Sequence, residues 1–300
     1  MVIYMNFKEE LTRRTNEIEA ILDNYLPTPE DHQKVIMEAM AYSVTAGGKR
    51  LRPMLMKETY LCYGGNEAVI EPFMAALEMI HTYSLVHDDL PAMDNDEYRR
   101  GKKTTHVVYG EAMGILAGDA LLNYAFETAI KAFELAPEKS LLIGKALKVL
   151  AEKAGIYGMI GGQVVDVAET GKSLTKEQLD FIYELKTGAL IEAAMMIGAI
   201  LAGAPEEEVL RMEKIASDVG LAFQIQDDIL DVTSTMEELG KPIHSDEKNE
   251  KTTYVTLHGL ATAEKEVERI SEEAITLLAD LKEKNPFLEM LIRELIHRKK

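Results

Sequence analysis

Three hundred residues, 47% of them hydrophobic, suffice for one large domain near the size at which a single core stops growing. A formal net charge of −18 excludes a nucleic-acid or anionic-membrane surface, because either needs a basic face. Cys62 is the only cysteine, which excludes internal disulfides and thiolate zinc sites and fits a reducing compartment such as the cytoplasm.

The chain opens on "MVIYMNFKEELTRRTNEIEA", which turns charged at Lys8 and has no long apolar core, so neither a secretory signal nor a membrane anchor is expected. From there helical signals dominate: segments rich in Ala, Leu, Glu, Lys and Met, broken by short Gly or Pro stretches. The expected class is all-α. Breaks fall at "LPTPED" (26–31), "YGGNEAVIEP" (63–72), "LPAMDNDEYRRGKKTTH" (90–106), "LAPEKS" (135–140), "ETGKSLTKE" (169–177), "GAPEEE" (203–208) and "LGKPIHSDEKNEKTTY" (239–254). The stretch from Ser173 to Glu177 resembles a helix N-cap, and Pro205 followed by three glutamates suits a helix start. Residues 188–205 are very apolar but carry Glu192 and are too short to span a bilayer, so they predict a buried core helix. Neither an internal repeat nor a low-complexity linker marks a domain boundary.

Two aspartate pairs end apolar runs, Asp88-Asp89 in "IHTYSLVHDD" and Asp227-Asp228 in "GLAFQIQDDILD". Carboxylates in such surroundings need compensation. Asp227 and Asp231 are four apart and share one helix face with Gln224. His81, Ser84 and Asp88 share another, and Pro91 ends that helix so that Asp94 is presented from a loop. Oxygen donors alone suit a hard cation, Mg2+ or Mn2+. An EF-hand fails for want of the turn glycine and distal glutamate, and a solvated acidic face is the bland alternative.

Basic residues accompany the acids. "AGGKRLRP" (46–53) holds Lys49, Arg50 and Arg52 behind two glycines, without the P-loop pattern, and "YRRGKKTTH" places Arg99 and Arg100 just after Asp94. Lys186 and Lys241 supply a third group. Arginines bind phosphate oxygens bidentately, so carboxylates and cations together point to a metal-bridged diphosphate. A Ser-His-Asp hydrolase has no support, since no GxSxG occurs.

In order along the chain, "AMAYSVTAGGKRLRP", "IHTYSLVHDDLPAMDNDEYRRGKKTTH", "LAGDALL", "GMIGGQVVD", "LKTGALI", "GLAFQIQDDILD", "GKPIHSD" and "KTTY" resemble the trans-isoprenyl diphosphate synthases, most closely the bacterial farnesyl diphosphate synthases, or geranyltranstransferases. The resemblance covers nearly the whole chain. It implies a single polyprenyl synthase domain over residues 1–300, an all-α helical bundle of the isoprenoid synthase fold around a central cavity. Two aspartate motifs would face each other across its mouth, usually in a homodimer.

Carried over residue by residue, Asp88, Asp94 and Asp227 look like Mg2+ ligands, with Asp231 beside them and Asp89 and Asp228 in support. Lys49, Arg52, His81 and Arg100 resemble the isopentenyl diphosphate site. Arg99, Lys186, Thr187, Gln224, Lys241 and Lys251 resemble the allylic diphosphate site, and Tyr83 and Ser84 the positions that set product length. The basic "HRKK" (297–300) would close over the isopentenyl site.

The implied reaction joins isopentenyl diphosphate to dimethylallyl or geranyl diphosphate, giving farnesyl diphosphate and pyrophosphate, with about three Mg2+ ions or substituting Mn2+. Rival readings are a geranylgeranyl diphosphate synthase, a terpene cyclase and a non-catalytic partner subunit.

Overall fold

The computed structural model describes residues 6–233 and 252–296, which fold almost wholly into helices. By internal packing they divide into two compact units, the first drawn from residues 1–57 and 65–147, the second from 58–64 and 148–300. The chain passes into the second unit inside α3 (Leu51–Cys62), returns to the first between Gly64 and Gly65, and enters the second again inside α8 (Ser140–Ala154).

In the first unit α1 (Phe7–Tyr25), α2 (Lys34–Val44) and α6 (Glu111–Ile130) pack on α4 (Glu71–Asp88). Every residue from Phe73 to Ile80 is buried, so this stretch of α4 is core and apolar all round except for Glu78. It lies close to α6 because that helix presents small residues: a Cβ at Gly118 would stand 2.0 Å from His87 Nε2. His87 Nε2 instead reaches the Ile115 carbonyl at 3.1 Å. Short α5 (Thr105–Tyr109) and α7 (Ala132–Leu135) flank α6.

In the second unit α11 (Ala189–Leu201) is the core: all thirteen residues are buried, as the apolar run predicted. Its Glu192 is compensated by Lys153, which also reaches Glu213 at 2.7 Å. Around α11 run α9 (Met159–Ala168), α10 (Lys176–Ile182), a π-helical stretch (Tyr183–Gly188) and the long α12 (Glu206–Thr233). Beyond these lie α13 (Tyr254–His258), α14 (Leu260–Ala279) and α15 (Pro286–Ile296). Thr175 and Gln178 form a capping box that starts α10 inside the expected N-cap region, and α12 starts directly after Pro205 with its three glutamates at the positive end of the helix dipole. Among the described residues no helix is long and apolar enough to cross a membrane.

Candidate active site

In the first unit the end of α4 organises the chemistry. The helix stops at Asp88, and the following loop curls back onto it: the Asp94 N–H donates to the Asp88 carbonyl at 2.8 Å and the Asp96 N–H to the Asp89 carbonyl at 3.2 Å. Asn95 makes the bend possible in the left-handed region at φ 54. Asp94 is thus returned to the Asp88 end of the helix on an exposed loop, and Asp88 remains half-buried beside His81 and Ser84. Asp89 turns inward and is 4% exposed; burial raises its pKa, while Arg99 opposes that rise.

Next comes a hairpin hidden in the expected break. Strands β1 (Tyr98–Arg99) and β2 (Lys102–Lys103) are joined by Arg100 and Gly101, both at positive φ, as a two-residue type I′ turn requires. The hairpin is fastened to α2 and the glycine loop by Tyr42, whose hydroxyl donates to the Lys103 carbonyl at 2.6 Å, and by Lys102, which reaches the Thr45 carbonyl at 3.2 Å. Arg100 donates to the Gly47 carbonyl. Glycine is needed beside it, because a Cβ at Gly48 would stand 2.5 Å from Arg100 Nη1.

The arginines then crowd one region. Arg50, at φ 50 and 4% exposed, donates to Glu78 at 2.8 Å and to the Val44 carbonyl at 2.7 Å, so it anchors the loop internally. Burial holds His81 well below the usual imidazole value, and Arg52, Arg100, Arg99 and Arg50 push the same way. Burial also lowers Arg52 and Arg100, each further opposed by neighbouring arginines and supported by Glu78. Arg52 Nε is buried without a hydrogen-bond partner among the described residues. A neutral imidazole among four guanidiniums with two buried carboxylates, Glu78 and Asp89, is a site short of negative charge. Lys49 stands exposed at its edge.

Tyr83 is buried, packs edge-on against His87 with ring centroids 5.8 Å apart, and has a hydroxyl without a hydrogen-bond partner among the described residues. Burial pushes that hydroxyl up to about 12.

In the second unit the π-helical stretch carries Lys186 and Thr187. Two glycines let it pack tightly: a Cβ at Gly162 of α9 would meet the Lys186 backbone nitrogen at 2.3 Å, and one at Gly220 of α12 would meet the Gly188 Cα at 2.9 Å. Lys186 Nζ bonds Asp166 at 2.6 Å, and Thr187 donates to Gln224 Oε1 at 3.0 Å. A cavity of about 130 Å³ brings Lys186, Thr187, Gln224 and Asp228 together with Asp166 and Tyr183. Asp227 is half-buried and Asp231 is 4% exposed; neither lines that cavity. Lys241, Lys251 and residues 297–300 lie outside the described residues.

Sequence reasoning named Arg50 among the basic residues of "AGGKRLRP" without giving it a role, and passed over Asp166, which stands inside "GMIGGQVVD". The only available signal was a buried charge needing company. Among the described residues no three carboxylate, imidazole or thiol side chains converge on one metal position.

The pattern of the family described as polyprenyl synthetase matches residues 33–290. A geranylgeranyl diphosphate synthase of Cyanophora paradoxa is 46% identical over 270 residues, 90% of this chain and 89% of that protein. A farnesyl diphosphate synthase of Geobacillus stearothermophilus is 43% identical over 88% of each. The crystal structure of a geranyltransferase from Helicobacter pylori, complexed with magnesium and isoprenyl diphosphate, superposes with a TM-score of 0.83 at 33% identity, over 99% of this chain and 98% of that one.

Proposed function

Since the chain belongs to the polyprenyl synthetase family of prenyltransferases, we propose that it condenses isopentenyl diphosphate with dimethylallyl or geranyl diphosphate to give farnesyl diphosphate and pyrophosphate. The observation that carries this reading is the arginine cluster around neutral His81, whose excess positive charge, partly withdrawn from water, calls for a polyanion. The family match runs across both compact units, which supports treating residues 1–300 as one functional domain.

Lys49, Arg52, Arg100 and His81 would hold the isopentenyl diphosphate, with His81 as a neutral hydrogen-bond partner. Arg99, Lys186, Thr187 and Gln224, with Lys241 and Lys251, would hold the allylic diphosphate. The donor set fits magnesium: Asp88 and Asp94 of the first motif and Asp227 and Asp231 of the second offer only carboxylate oxygens, and phosphate oxygens and water complete such a shell. Bound there, Mg2+ (about three ions, or Mn2+ in its place) supplies charge neutralisation for a departing diphosphate.

Arginine and lysine contacts to the leaving diphosphate favour breaking the allylic C–O bond. The double bond of isopentenyl diphosphate attacks the resulting allylic cation. A proton then leaves the adjacent carbon for the released pyrophosphate. Buried apolar walls such as Tyr83 exclude the water that would quench the cation.

The large side chain of Tyr83 favours the fifteen-carbon product. The second reading is a twenty-carbon product, favoured by the 46% identity to a geranylgeranyl diphosphate synthase. Homodimerisation is part of the proposal, supported by the exposed apolar side chains of Val108 on α5 and Leu116 on α6 (45% and 49%). A reducing, cytoplasmic setting suits Cys62, which is buried with its thiol pushed up to about 11 by burial.

Purified protein given radiolabelled isopentenyl diphosphate, geranyl diphosphate and Mg2+ should yield farnesol after dephosphorylation, and EDTA should abolish it. Asp88→Ala and Asp227→Ala should each lower turnover by orders of magnitude with helical circular dichroism unchanged. Absence of product with every allylic diphosphate would overturn the reading.

A further inference from the structure

Asp228 is 3% exposed, and its Oδ2 accepts two hydrogen bonds, from the Tyr183 hydroxyl at 2.6 Å and from the Tyr254 backbone N–H at 2.8 Å. A carboxylate buried to this degree keeps its charge only with strong donors, and neither donor comes from its own helix. Tyr183, itself 6% exposed, is the first residue of the π-helical stretch that bears Lys186 and Thr187. Tyr254 is the first residue of α13. Three segments therefore meet on one oxygen atom: α12 with the second aspartate motif, the lysine-bearing stretch, and the start of α13.

The π-helical stretch needs such a fastening. Its geometry is rare and short-lived in isolation, and it persists where packing holds it. At its far end Gly188 is seated against Gly220 of α12, where no Cβ would fit. At its near end the fastening is the Tyr183 hydroxyl on Asp228, also of α12. Lys186 and Thr187 lie between these two points, and Thr187 meets α12 again through Gln224.

We propose that Tyr183 is a positioning residue for the allylic diphosphate: its hydroxyl, acting through Asp228, sets the register in which Lys186 and Thr187 are held on the helix of the second aspartate motif. The inference rests on the prenyltransferase reading of Lys186 as a diphosphate ligand. It also gives Asp228 a different task from that of Asp227. With its Oδ2 committed to two protein donors, Asp228 is the fixed post and not the metal-facing member of the pair.

The test is Tyr183→Phe, which keeps the ring and removes only the donor. The KM for geranyl diphosphate is expected to rise about tenfold, with the KM for isopentenyl diphosphate within about twofold of wild type. Hydrogen exchange should quicken at the amides of residues 183–188 and 252–256 and stay unchanged over α14 and α15. Adding Tyr183→Phe to Asp228→Asn should raise the allylic KM no further, since the hydroxyl acts only through that carboxylate. A fall in kcat with both KM values unchanged would mean a merely structural hydroxyl and overturn the proposal, as would a further tenfold rise in the double variant. If wild-type protein forms no product, the prenyltransferase reading is what fails. Exchange then decides the fastening by itself, and equal rates in wild type and Tyr183→Phe would overturn it.

Discussion

Arg99 donates through both Nε and Nη2 to one oxygen of Asp89, at 2.8 and 2.6 Å. Asp89 closes α4 and Arg99 belongs to the hairpin, so this pair pins the hairpin to the end of the first aspartate motif. Asp89→Ala would leave a half-buried guanidinium without its main partner and should cost about 2 kcal/mol in urea unfolding. Asp89→Asn, which keeps an acceptor, should cost less. A loss below about 0.5 kcal/mol for Asp89→Ala would show that the pair is too wet to matter.

His81 sets an acid limit. Its folded pKa is depressed, first by burial and then by Arg52, Arg100, Arg99 and Arg50, with Glu78 and Asp89 the buried carboxylates of the same cluster. Unfolded, it titrates near ~6.5. Below that pH the unfolded chain takes up a proton that the folded protein refuses, so stability is lost as pH falls and is complete above it. The slope contributed is up to about 1.4 kcal/mol per pH unit. His81→Gln should therefore flatten the stability profile between about pH 6.5 and 5. Parallel profiles for variant and wild type would refute the assignment.

Gly48 makes room for Arg100. At φ +142 and 2.5 Å from Nη1, an alanine Cβ must strain the backbone and push the guanidinium off the Gly47 carbonyl. Gly48→Ala is expected to cost about 1 kcal/mol and to raise the KM for isopentenyl diphosphate severalfold, leaving that for the allylic substrate alone. An unchanged isopentenyl KM would remove Arg100 from that site.

Tyr83 separates packing from product length. Because its buried hydroxyl has no partner among the described residues, Tyr83→Phe should be neutral or stabilising by up to about 1 kcal/mol, with the product unchanged. Tyr83→Ala should cost about 3–5 kcal/mol and shift the main product from farnesyl toward geranylgeranyl diphosphate or longer. Chromatography of dephosphorylated products reads this. A fifteen-carbon product from folded, active Tyr83→Ala would show that Tyr83 does not stop the chain.

Much of the helix pattern was legible because it follows from local chemistry. The apolar run became a wholly buried helix, and Pro205 with its glutamates began α12 where helix-start rules place it. Breaks at residues 155–158 and at Gly259 went unread, since no proline and no long polar run announces them, whereas the break at 280–285 went unread although a polar run from Lys282 to Asn285 and Pro286 mark it. At the first, Gly158 is required by approach to the Lys153 carbonyl, 2.0 Å from where its Cβ would stand. The hairpin was invisible because two-residue strands show no alternation. The π-helical stretch was too, because "FIYELKTGALI" reads as continuous helix and only packing against Gly162 and Gly220 selects the wider turn.

What the sequence determined by itself was the helical class and the position of each aspartate pair at the close of an apolar run, with arginines and lysines elsewhere in the same compact unit. Those rest on composition, periodicity and turn residues, which act over a few positions. Tertiary structure alone decided which member of each aspartate pair is buried. Adjacent helical residues point about 100° apart, so one of each pair must turn toward the packing. Which one depends on partners distant in sequence: Arg99 draws in Asp89, Tyr183 and Tyr254 draw in Asp228, and Asp88 and Asp227 remain half-buried. A local pattern cannot encode that choice, because the donors that make it arrive only when the chain has folded.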